Sequence, residues 1–282
     1  MERLSFGMSC CGFQELSDED FLNLNEAGVE KIEISLKYDK YPSLDCKQIK
    51  KRADVYNVEL WSFHLPFQPF ETNNIASLDK NIRNSTISLH SEYIKRASDV
   101  GIQNFIIHPS AEPNREEDRD DMLEYASEAL SELAEIAAKE GGIIAVEDLP
   151  RTCIGRNSAE IKKLISKNDK LRVCFDTNHL LAQPIREFIE DVGDKIITTH
   201  FSDYDFVDEK HWLPGEGKID WIELLETLEK VGYKGPIIYE LGLLPPENGS
   251  IIRRPLTFND FKENYDCLMK RVPPKAIGIP AV

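Results

Sequence analysis

The feature that most constrains the fold is an alternation, repeated eight times, of a short apolar segment and a longer segment with helical periodicity. Each short segment is a nearly continuous apolar run, which is typical of strands that are covered on both faces. The eight predicted strands are Leu4–Ser9, Lys31–Leu36, Glu59–His64, Asn104–His108, Ile143–Glu147, Arg172–Asp176, Ile196–His200 and Pro236–Glu240. Because strands that alternate with helices pair in parallel, the sequence predicts an α/β fold built on a parallel sheet.

Eight such units favour closure into a single (β/α)8 barrel, the TIM-barrel fold, over an open doubly wound sheet. No glycine-rich nucleotide-binding motif follows the first strand, which also counts against the open sheet. The length of 282 residues is typical of one such barrel, and no linker divides it. We therefore predict one catalytic barrel domain over residues 1–272. An extended tail is predicted over residues 273–282, because Pro273 and Pro274 cannot continue a helix.

Composition narrows the function classes. The net charge of −16 is opposite to that of most proteins that bind nucleic-acid phosphates, although a basic groove can lie on an acidic protein. No apolar run is long enough to span a membrane, and the N-terminus lacks a signal-peptide pattern. The six cysteines have no C-x-x-C spacing and are interpreted as free thiols. We expect a cytoplasmic protein that binds a small molecule, without a membrane partner and with nucleic acid disfavoured.

Metal-ligating residue types concentrate at the ends of the predicted strands. Five of the six histidines lie at or just after a strand end, whereas His90 lies in a helix and is interpreted as a surface or packing residue. Each residue alone would equally well cap a loop or pair with a lysine. In a barrel, however, all strand ends converge on one mouth, where carboxylates and imidazoles together favour a divalent cation. The residues at these positions are Glu33, His64, His108, Glu147, Asp176, His179, His200, His211 and Glu240.

These motifs resemble those of the sugar isomerase/epimerase superfamily with xylose-isomerase-like barrels, over about residues 3–270. They are His64-Leu-Pro-Phe, His108-Pro, Glu147-Asp-Leu-Pro, Asp176-Thr-Asn-His179, His200-Phe-Ser-Asp203, His211-Trp-Leu-Pro-Gly-Glu-Gly217 and Tyr239-Glu240. The resemblance implies one divalent cation, held by Glu147, Asp176, His200 and Glu240. Three carboxylates with one imidazole suit Mn²⁺ first, with Mg²⁺, Co²⁺ or Zn²⁺ as alternatives.

The resemblance also implies an activity: a metal-dependent isomerase or epimerase of a sugar, sugar phosphate or polyol. The cation would bind the adjacent hydroxyl and carbonyl oxygens of the substrate and stabilise a cis-enediolate. Glu147 and Glu240 would both ligate the metal and transfer the proton. Return of the proton to the other face of the same carbon gives epimerisation, and delivery to the neighbouring carbon gives isomerisation. The sequence does not choose between these outcomes.

Further residues are expected to bind substrate. By resemblance, His179 contacts a substrate oxygen, and His211 stands where several epimerases carry a substrate-binding arginine. Glu33 either binds a hydroxyl or caps a loop. The remaining candidates are His64 and His108, which we expect to line the pocket, and Trp212, whose ring would stack on a sugar face. Four arginines after strand ends either bind a phosphate or carboxylate or form salt bridges: Arg151, Arg156, Arg253 and Arg254.

An alternative function comes from the same superfamily, which includes apurinic-site endonucleases with three Zn²⁺ ions. The additional metal ligands would be His64, His108, His179, Glu209 and His211, of which Glu209 departs from the aspartate of that family. A zinc phosphodiesterase acting on abasic DNA is therefore an alternative. The acidic net charge opposes it, as does a loop after His64 without the basic and aromatic pattern of a DNA-penetrating loop.

Two further points concern the class and assembly of the protein. A third class, a barrel that binds sugar or metal without catalysis, is opposed by the complete set of ligand candidates. The resemblance implies a homo-oligomer, a dimer or tetramer, although no residue of the sequence identifies an interface.

Overall fold

The computed structural model describes residues 3–281 and contains a closed barrel of eight parallel strands. Each strand pairs with the next one along the chain, and β1 pairs with β8 to close the ring. The strands are β1 (Phe6–Ser9), β2 (Lys31–Ile34), β3 (Glu59–His64), β4 (Asn104–Ile107), β5 (Ile143–Glu147), β6 (Arg172–Asp176), β7 (Ile196–Phe201) and β8 (Ile237–Tyr239). The predicted (β/α)8 barrel is confirmed.

Helices cover the outside of the barrel. They are α1 (Asp18–Glu26), α2 (Cys46–Val55), α3 (Lys80–Ser98), α4 (Arg119–Lys139), α5 (Ser158–Ile165), α6 (Ile185–Val192), α7 (Trp221–Lys230) and α8 (Phe258–Met269). Helix α4 shows why the sequence folds this way. Its residues Met122, Ala126, Leu130 and Leu133 recur at helical spacing and are all buried. The main core therefore lies between the strands and the helices, as in other parallel barrels.

The strand register brings the ligand candidates to one level. Asp176 is the partner of His200 across β6 and β7, and Glu147 is the last residue of β5. Two predicted strands end one residue earlier than expected, so that His108 and Glu240 lie just past β4 and β8. The Glu240 backbone N–H still donates to the Phe201 carbonyl at 3.2 Å, which keeps this residue at the level of the sheet.

The inside of the barrel below this level is filled with small and medium side chains. Ile106, Ala145 and Cys174 form a separate apolar cluster there. Cys174 is thus a core residue, as predicted, whereas Cys267 is only half-buried. His90 is buried and its Nε2 lies 3.0 Å from the Pro66 carbonyl oxygen, which agrees with a packing role. The six cysteines are free thiols.

The C-terminal segment returns to the loop after β8. A two-residue strand, β10 (Ile279–Pro280), pairs antiparallel with β9 (Ile251–Ile252) in that loop. The Gly278 N–H donates to Glu216 Oε1 at 2.7 Å, which ties the segment to the loop after β7. The final residue of the predicted tail lies outside the described residues. Among helices within residues 3–281, none has the length and apolar character needed to cross a membrane.

Candidate active site

A cavity of about 760 Å³ opens at the C-terminal end of the barrel. This is the end at which barrel enzymes carry their catalytic groups. Buried side chains form the floor, and loops after the strands form the rim. The floor includes the buried His64, Glu147, His179 and Glu240 and the half-buried His108, all of which were predicted from the sequence as site residues.

Four floor residues could hold a divalent cation. Glu147, Asp176, His200 and Glu240 each offer a ligand atom, and these atoms all lie within 4.8 Å of one another. Asp176 Oδ2 is buried and has no hydrogen-bond partner, which leaves a lone pair available for a ligand. No lysine or arginine pairs with these carboxylates among the described residues. Three carboxylates with one imidazole fit Mn²⁺ or Mg²⁺, so the sequence-predicted set fits the group that the resemblance implies.

His200 is oriented from behind by a buried carboxylate. Its Nδ1 lies 3.2–3.7 Å from an oxygen of each of the three floor carboxylates. On the opposite side of the ring, Nε2 lies 3.0 Å from Glu33 Oε1. Glu33 in turn accepts hydrogen bonds from Ser62 Oγ at 2.9 Å and Ser9 Oγ at 3.3 Å. With Nε2–H donated to Glu33, Nδ1 presents its lone pair to the cation site.

Two predicted substrate contacts lie away from the cavity. Glu33 is completely buried behind His200 and does not line the cavity, so it cannot bind a substrate hydroxyl there. Trp212 is also buried, and its indole N–H donates to Ser250 Oγ at 3.1 Å. Its backbone pairs with Asp203, and its side chain is absent from the cavity lining. The structure therefore does not bring these two side chains to the site.

The two glutamates at the floor have opposite electrostatic environments. Burial opposes ionisation of Glu147, but His200 and His108 outweigh it and hold its pKa well below the usual range. At Glu240, burial raises the pKa more than the nearby His200 lowers it. Together with the negative charge of Glu147, burial raises the pKa of Glu240 to about 8. Without a cation, the floor thus holds one ionised and one protonated carboxyl group at neutral pH. A pair of carboxyl groups with separated pKa values is suited to accept and donate a proton.

The imidazoles surround this pair. His64 Nε2 lies 3.1 Å from Glu147 Oε2; burial lowers the His64 pKa, but this contact outweighs burial and raises it to about 9. Burial also opposes the charged form of His179, but Asp176 and Glu147 raise its pKa to about 9. Burial lowers the pKa of His108, despite Glu147 at 3.4 Å. The floor therefore presents both charged and neutral imidazoles to a substrate.

The additional metal candidates fall into two further groups. His64 and His108 join Glu147 in one, and His179, Glu209 and His211 form the other, which we call the rim cluster. The rim cluster is more open, because Glu209 and His211 are only half-buried. Glu209 also contacts Arg151 at 3.3 Å, so one of its oxygens already faces a cation.

The Pro-Gly-Glu-Gly element supports the loop that carries His211. Asp203 accepts hydrogen bonds from the Gly215 N–H at 2.8 Å and the Trp221 indole N–H at 2.9 Å. A Cβ at Gly217 would lie 2.2 Å from Asp203 Oδ1, so only glycine fits there. His211 has a positive φ of 50°, and its Nδ1 lies 3.1 Å from the Glu240 carbonyl oxygen. The motif is therefore a scaffold that fixes His211 against the floor.

The four arginines after strand ends all face carboxylates. Arg151 Nη1 lies 2.8 Å from Asp208 Oδ1, and its Nε lies 3.1 Å from Glu112 Oε2. The other three also lie in ion pairs: Arg156–Glu116, Arg253–Glu216 and Arg254–Asp260. Salt bridging therefore accounts for Arg151, Arg156 and Arg254, whereas Arg253 reaches Glu216 only at 3.6 Å and its buried Nε and Nη1 have no hydrogen-bond partner. Of the four, Arg151 is the only one that lines the cavity within the described residues.

Some lining residues were not predicted from the sequence. Phe67 stacks on His108 with ring centroids 4.3 Å apart, and the segment from Leu244 to Asn248 also lines the cavity. The strand-end pattern contains no information on these loops, since their path over the mouth depends on contacts between distant segments. The Phe-Gln-Pro-Phe sequence after His64 was the available signal for an aromatic wall.

Comparison with known proteins places this geometry in a family. Residues 21–253 match the family described as the xylose isomerase-like TIM barrel, and the chain belongs to that family. The resemblance inferred from the motifs is thus confirmed. A solved structure of a D-tagatose 3-epimerase-like protein is similar, with a TM-score of 0.75 and 27% identity. The match covers 85% of this chain and 91% of that one.

Relatives with similar sequences include an epimerase and a dehydratase. The uncharacterized protein MJ1311 of Methanocaldococcus jannaschii is 30% identical over 203 residues, covering 69% of this chain and 68% of that protein. Fructoselysine 3-epimerase of Escherichia coli O157:H7 is 26% identical over 254 residues, covering 83% and 89%. Inosose dehydratase of Lacticaseibacillus casei is 26% identical over 254 residues, covering 81% of each chain.

Proposed function

We propose that the protein is a divalent-metal-dependent sugar epimerase or isomerase, with Glu147 and Glu240 as the proton-transferring residues. The observation that carries this proposal is the buried set of three carboxylates and one imidazole at the floor of an open cavity, which has no lysine or arginine partner among the described residues. The sugar epimerases among its relatives support the same reaction class.

Glu147, Asp176, His200 and Glu240 would hold the cation, with Mn²⁺ the first candidate. When bound, it would supply positive charge that polarises a substrate carbonyl and makes the neighbouring C–H more acidic. Glu33 would maintain the His200 tautomer that this binding requires.

In this proposal the two glutamates would transfer the proton from opposite sides of a substrate carbon. Glu147 ends β5 and Glu240 follows β8, so β6 and β7 separate them around the ring. The ionised carboxylate of Glu147 would accept the proton from the carbon beside the carbonyl. The carboxyl group of Glu240 would donate a proton to the other face, and the roles exchange in the reverse direction. His64, His108, His179 and His211 would bind the substrate hydroxyl groups around this carbon.

Solvent deuterium exchange tests the proposal. Ketoses, aldoses and keto-inositols are incubated with the Mn²⁺-loaded protein in D₂O, and deuterium at carbon is followed by NMR. The proposal predicts exchange on at least one sugar and its loss in Glu147→Gln and in Glu240→Gln. Exchange that survives both substitutions would refute the assigned roles. Glu59→Gln, at the opposite end of the barrel, is a control that should exchange like the wild type.

A second candidate, a multi-zinc phosphodiesterase, is favoured by one observation. The two additional donor groups, one with His64 and His108 and the other being the rim cluster, adjoin the four-residue set. Cleavage of an abasic DNA duplex should be measured beside the exchange assay, with elemental analysis for zinc. About three Zn²⁺ ions per chain with DNA cleavage would replace the epimerase proposal. One ion or fewer, without cleavage, would support it.

A further inference from the structure

The cavity is larger than a simple sugar needs. Its volume of about 760 Å³ lies in the upper part of the range of roughly 300–1,000 Å³ that is typical of pockets for drug-sized ligands. A monosaccharide is much smaller than such a ligand. When its reacting carbon lies between Glu147 and Glu240, the sugar leaves the outer part of the cavity unfilled. We call this part the outer chamber; its lining includes Lys37, Asp39, Phe67, Phe70, Glu112 and Leu244–Asn248.

Phe67 and Phe70 form an apolar wall of the outer chamber that begins at His108, and Leu244 adds apolar surface from another loop. Phe67 stacks on His108 at the floor, and Phe70 stacks on Phe67 with ring centroids 6.2 Å apart. Leu244, in the loop after β8, is 68% exposed. A ligand that covers such apolar side chains removes their surface from water, and this burial makes binding more favourable.

The charge of the outer chamber disfavours an anion. Arg151 is the lining arginine, and its guanidinium is already neutralised by Glu112 and Asp208. Asp39 and Glu247 also line the cavity, and no ion pair engages them within the part of the chain that the structure describes. The lysines of the cavity lining are Lys37 and Lys210, and Lys210 already lies 3.8 Å from Asp205. Among the described lining residues, Lys37 is therefore the one lysine without an ion pair, against these two acids. A phosphate would therefore meet negative potential here instead of a free guanidinium.

We propose that the substrate is an unphosphorylated sugar that carries a second, neutral or cationic organic group, which lies in the outer chamber against Phe67 and Phe70. This inference rests on the proposed function, because the sugar end must occupy the floor. The apolar side chains favour an attached group with apolar surface, and the acidic lining disfavours an anionic one.

The test compares four probes with the Mn²⁺-loaded wild type, by kcat/KM for deuterium exchange. They are a free ketohexose, its phosphate, and the same ketohexose bearing either an alkoxy or an aminoalkyl chain. We expect each substituted ketose to exceed the free ketohexose by at least about tenfold, as burial of a medium-sized apolar group provides. The phosphate should fall below the free ketohexose. A phosphate that reacts as well as the free sugar would overturn the inference, as would substituted sugars without an advantage.

A variant locates the effect in the outer chamber. Phe70→Ala should reduce the advantage of the substituted sugars over the free ketohexose toward one. The control Leu22→Ala removes an exposed leucine of α1, outside the cavity lining, and should keep the full advantage. An advantage that persists in Phe70→Ala would contradict the assignment of the apolar wall. Exchange on the free ketohexose alone would refute only this inference, whereas exchange on no probe would refute the proposed function and this inference with it.

Discussion

Two regions of the molecule hold largely buried carboxylates whose partners differ. On the cavity floor, Glu147, Asp176 and Glu240 form their described ion pairs only with imidazoles. In the packing between α4 and α5, the Glu160 side chain is 12% exposed, as is that of Glu240, yet Glu160 faces Arg119 at 2.6 Å. Arginine remains charged at all relevant pH values, so Glu160 has a permanent partner. The comparison teaches that the floor carboxylates, which lack such a permanent partner, are the ones available to a cation.

The two regions should therefore respond oppositely to loss of a carboxylate charge. Adjacent like charges in a buried site raise the free energy of the folded protein, whereas a buried ion pair loses its compensation when one partner is removed. Four substitutions can break or sharpen this contrast.

Asp176→Asn should have the largest effect, on metal binding. The amide oxygen can still accept the Asn178 N–H bond that Asp176 Oδ1 accepts at 2.7 Å, so the local fold is preserved. We expect the affinity for Mn²⁺ to fall more than about 100-fold, because even the loss of an outer partner of a metal ligand costs about 10–100-fold. Isothermal titration measures this change. Without metal, the free energy of unfolding in urea should equal or exceed that of the wild type, and a clear decrease would contradict the contrast.

Glu160→Gln should have the opposite profile. Arg119 would keep a buried guanidinium without its carboxylate, which we expect to lower the free energy of unfolding by about 2–4 kcal/mol. The Mn²⁺ affinity of the folded variant should not change. Urea denaturation and titration report the two quantities. The double variant Arg119→Met/Glu160→Met is the control, since replacing both partners with apolar side chains should restore much of the loss; a loss confined to metal affinity would count against the contrast.

Glu33→Gln should weaken Mn²⁺ binding by about 10–100-fold through the orientation of His200. The substitution removes the charge that fixes the Nε2 proton while conserving shape and burial. A matched control is Glu59→Gln, because Glu59 is exposed and pairs with Lys31 at the other end of the barrel. Equal affinities in the two variants would show that Glu33 has no positioning role.

Asp260→Asn should have the smallest effect and should depend on pH. Asp260 belongs to the capping box of α8 and faces Arg254 at 2.7 Å; the Arg254 contact holds the pKa of its carboxyl below the usual range. A carboxyl group whose pKa is lower in the folded than in the unfolded protein stabilises the fold at pH values above the unfolded pKa of about 4. This contribution is lost as the pH falls toward the pKa of the folded protein. We expect a loss of about 1 kcal/mol near neutral pH. In urea titrations at lower pH, the difference from wild type should shrink, and a constant difference would contradict the charge-based account.

The barrel and the strand-end residues were predictable because both depend on local patterns. Apolar runs mark the strands, and Glu147, Asp176 and His200 occupy the last positions of three of them or lie one residue before the end. Parallel closure then brings these residues together without further information. The family resemblance added the expectation that four of the strand-end residues bind the same cation.

The positions of Glu33 and Trp212 were not predictable in this way. A register shift between β2 and β3 pairs Glu33 with Ser62 and turns its carboxylate toward the barrel interior behind His200. Trp212 is fixed by an isolated bridge to Asp203. Both features arise from pairing between separate segments of the chain. The residue types alone did not indicate that these two side chains would lie outside the cavity.

The most direct test of the central claim is the Mn²⁺ stoichiometry of the wild type, Asp176→Asn and Glu209→Gln. The measurement is isothermal titration with elemental analysis of the dialysed proteins. The account predicts one Mn²⁺ per chain in the wild type and in Glu209→Gln, and none in Asp176→Asn at the same concentration. Binding that survives in Asp176→Asn but is lost in Glu209→Gln would place the cation in the rim cluster and contradict the account.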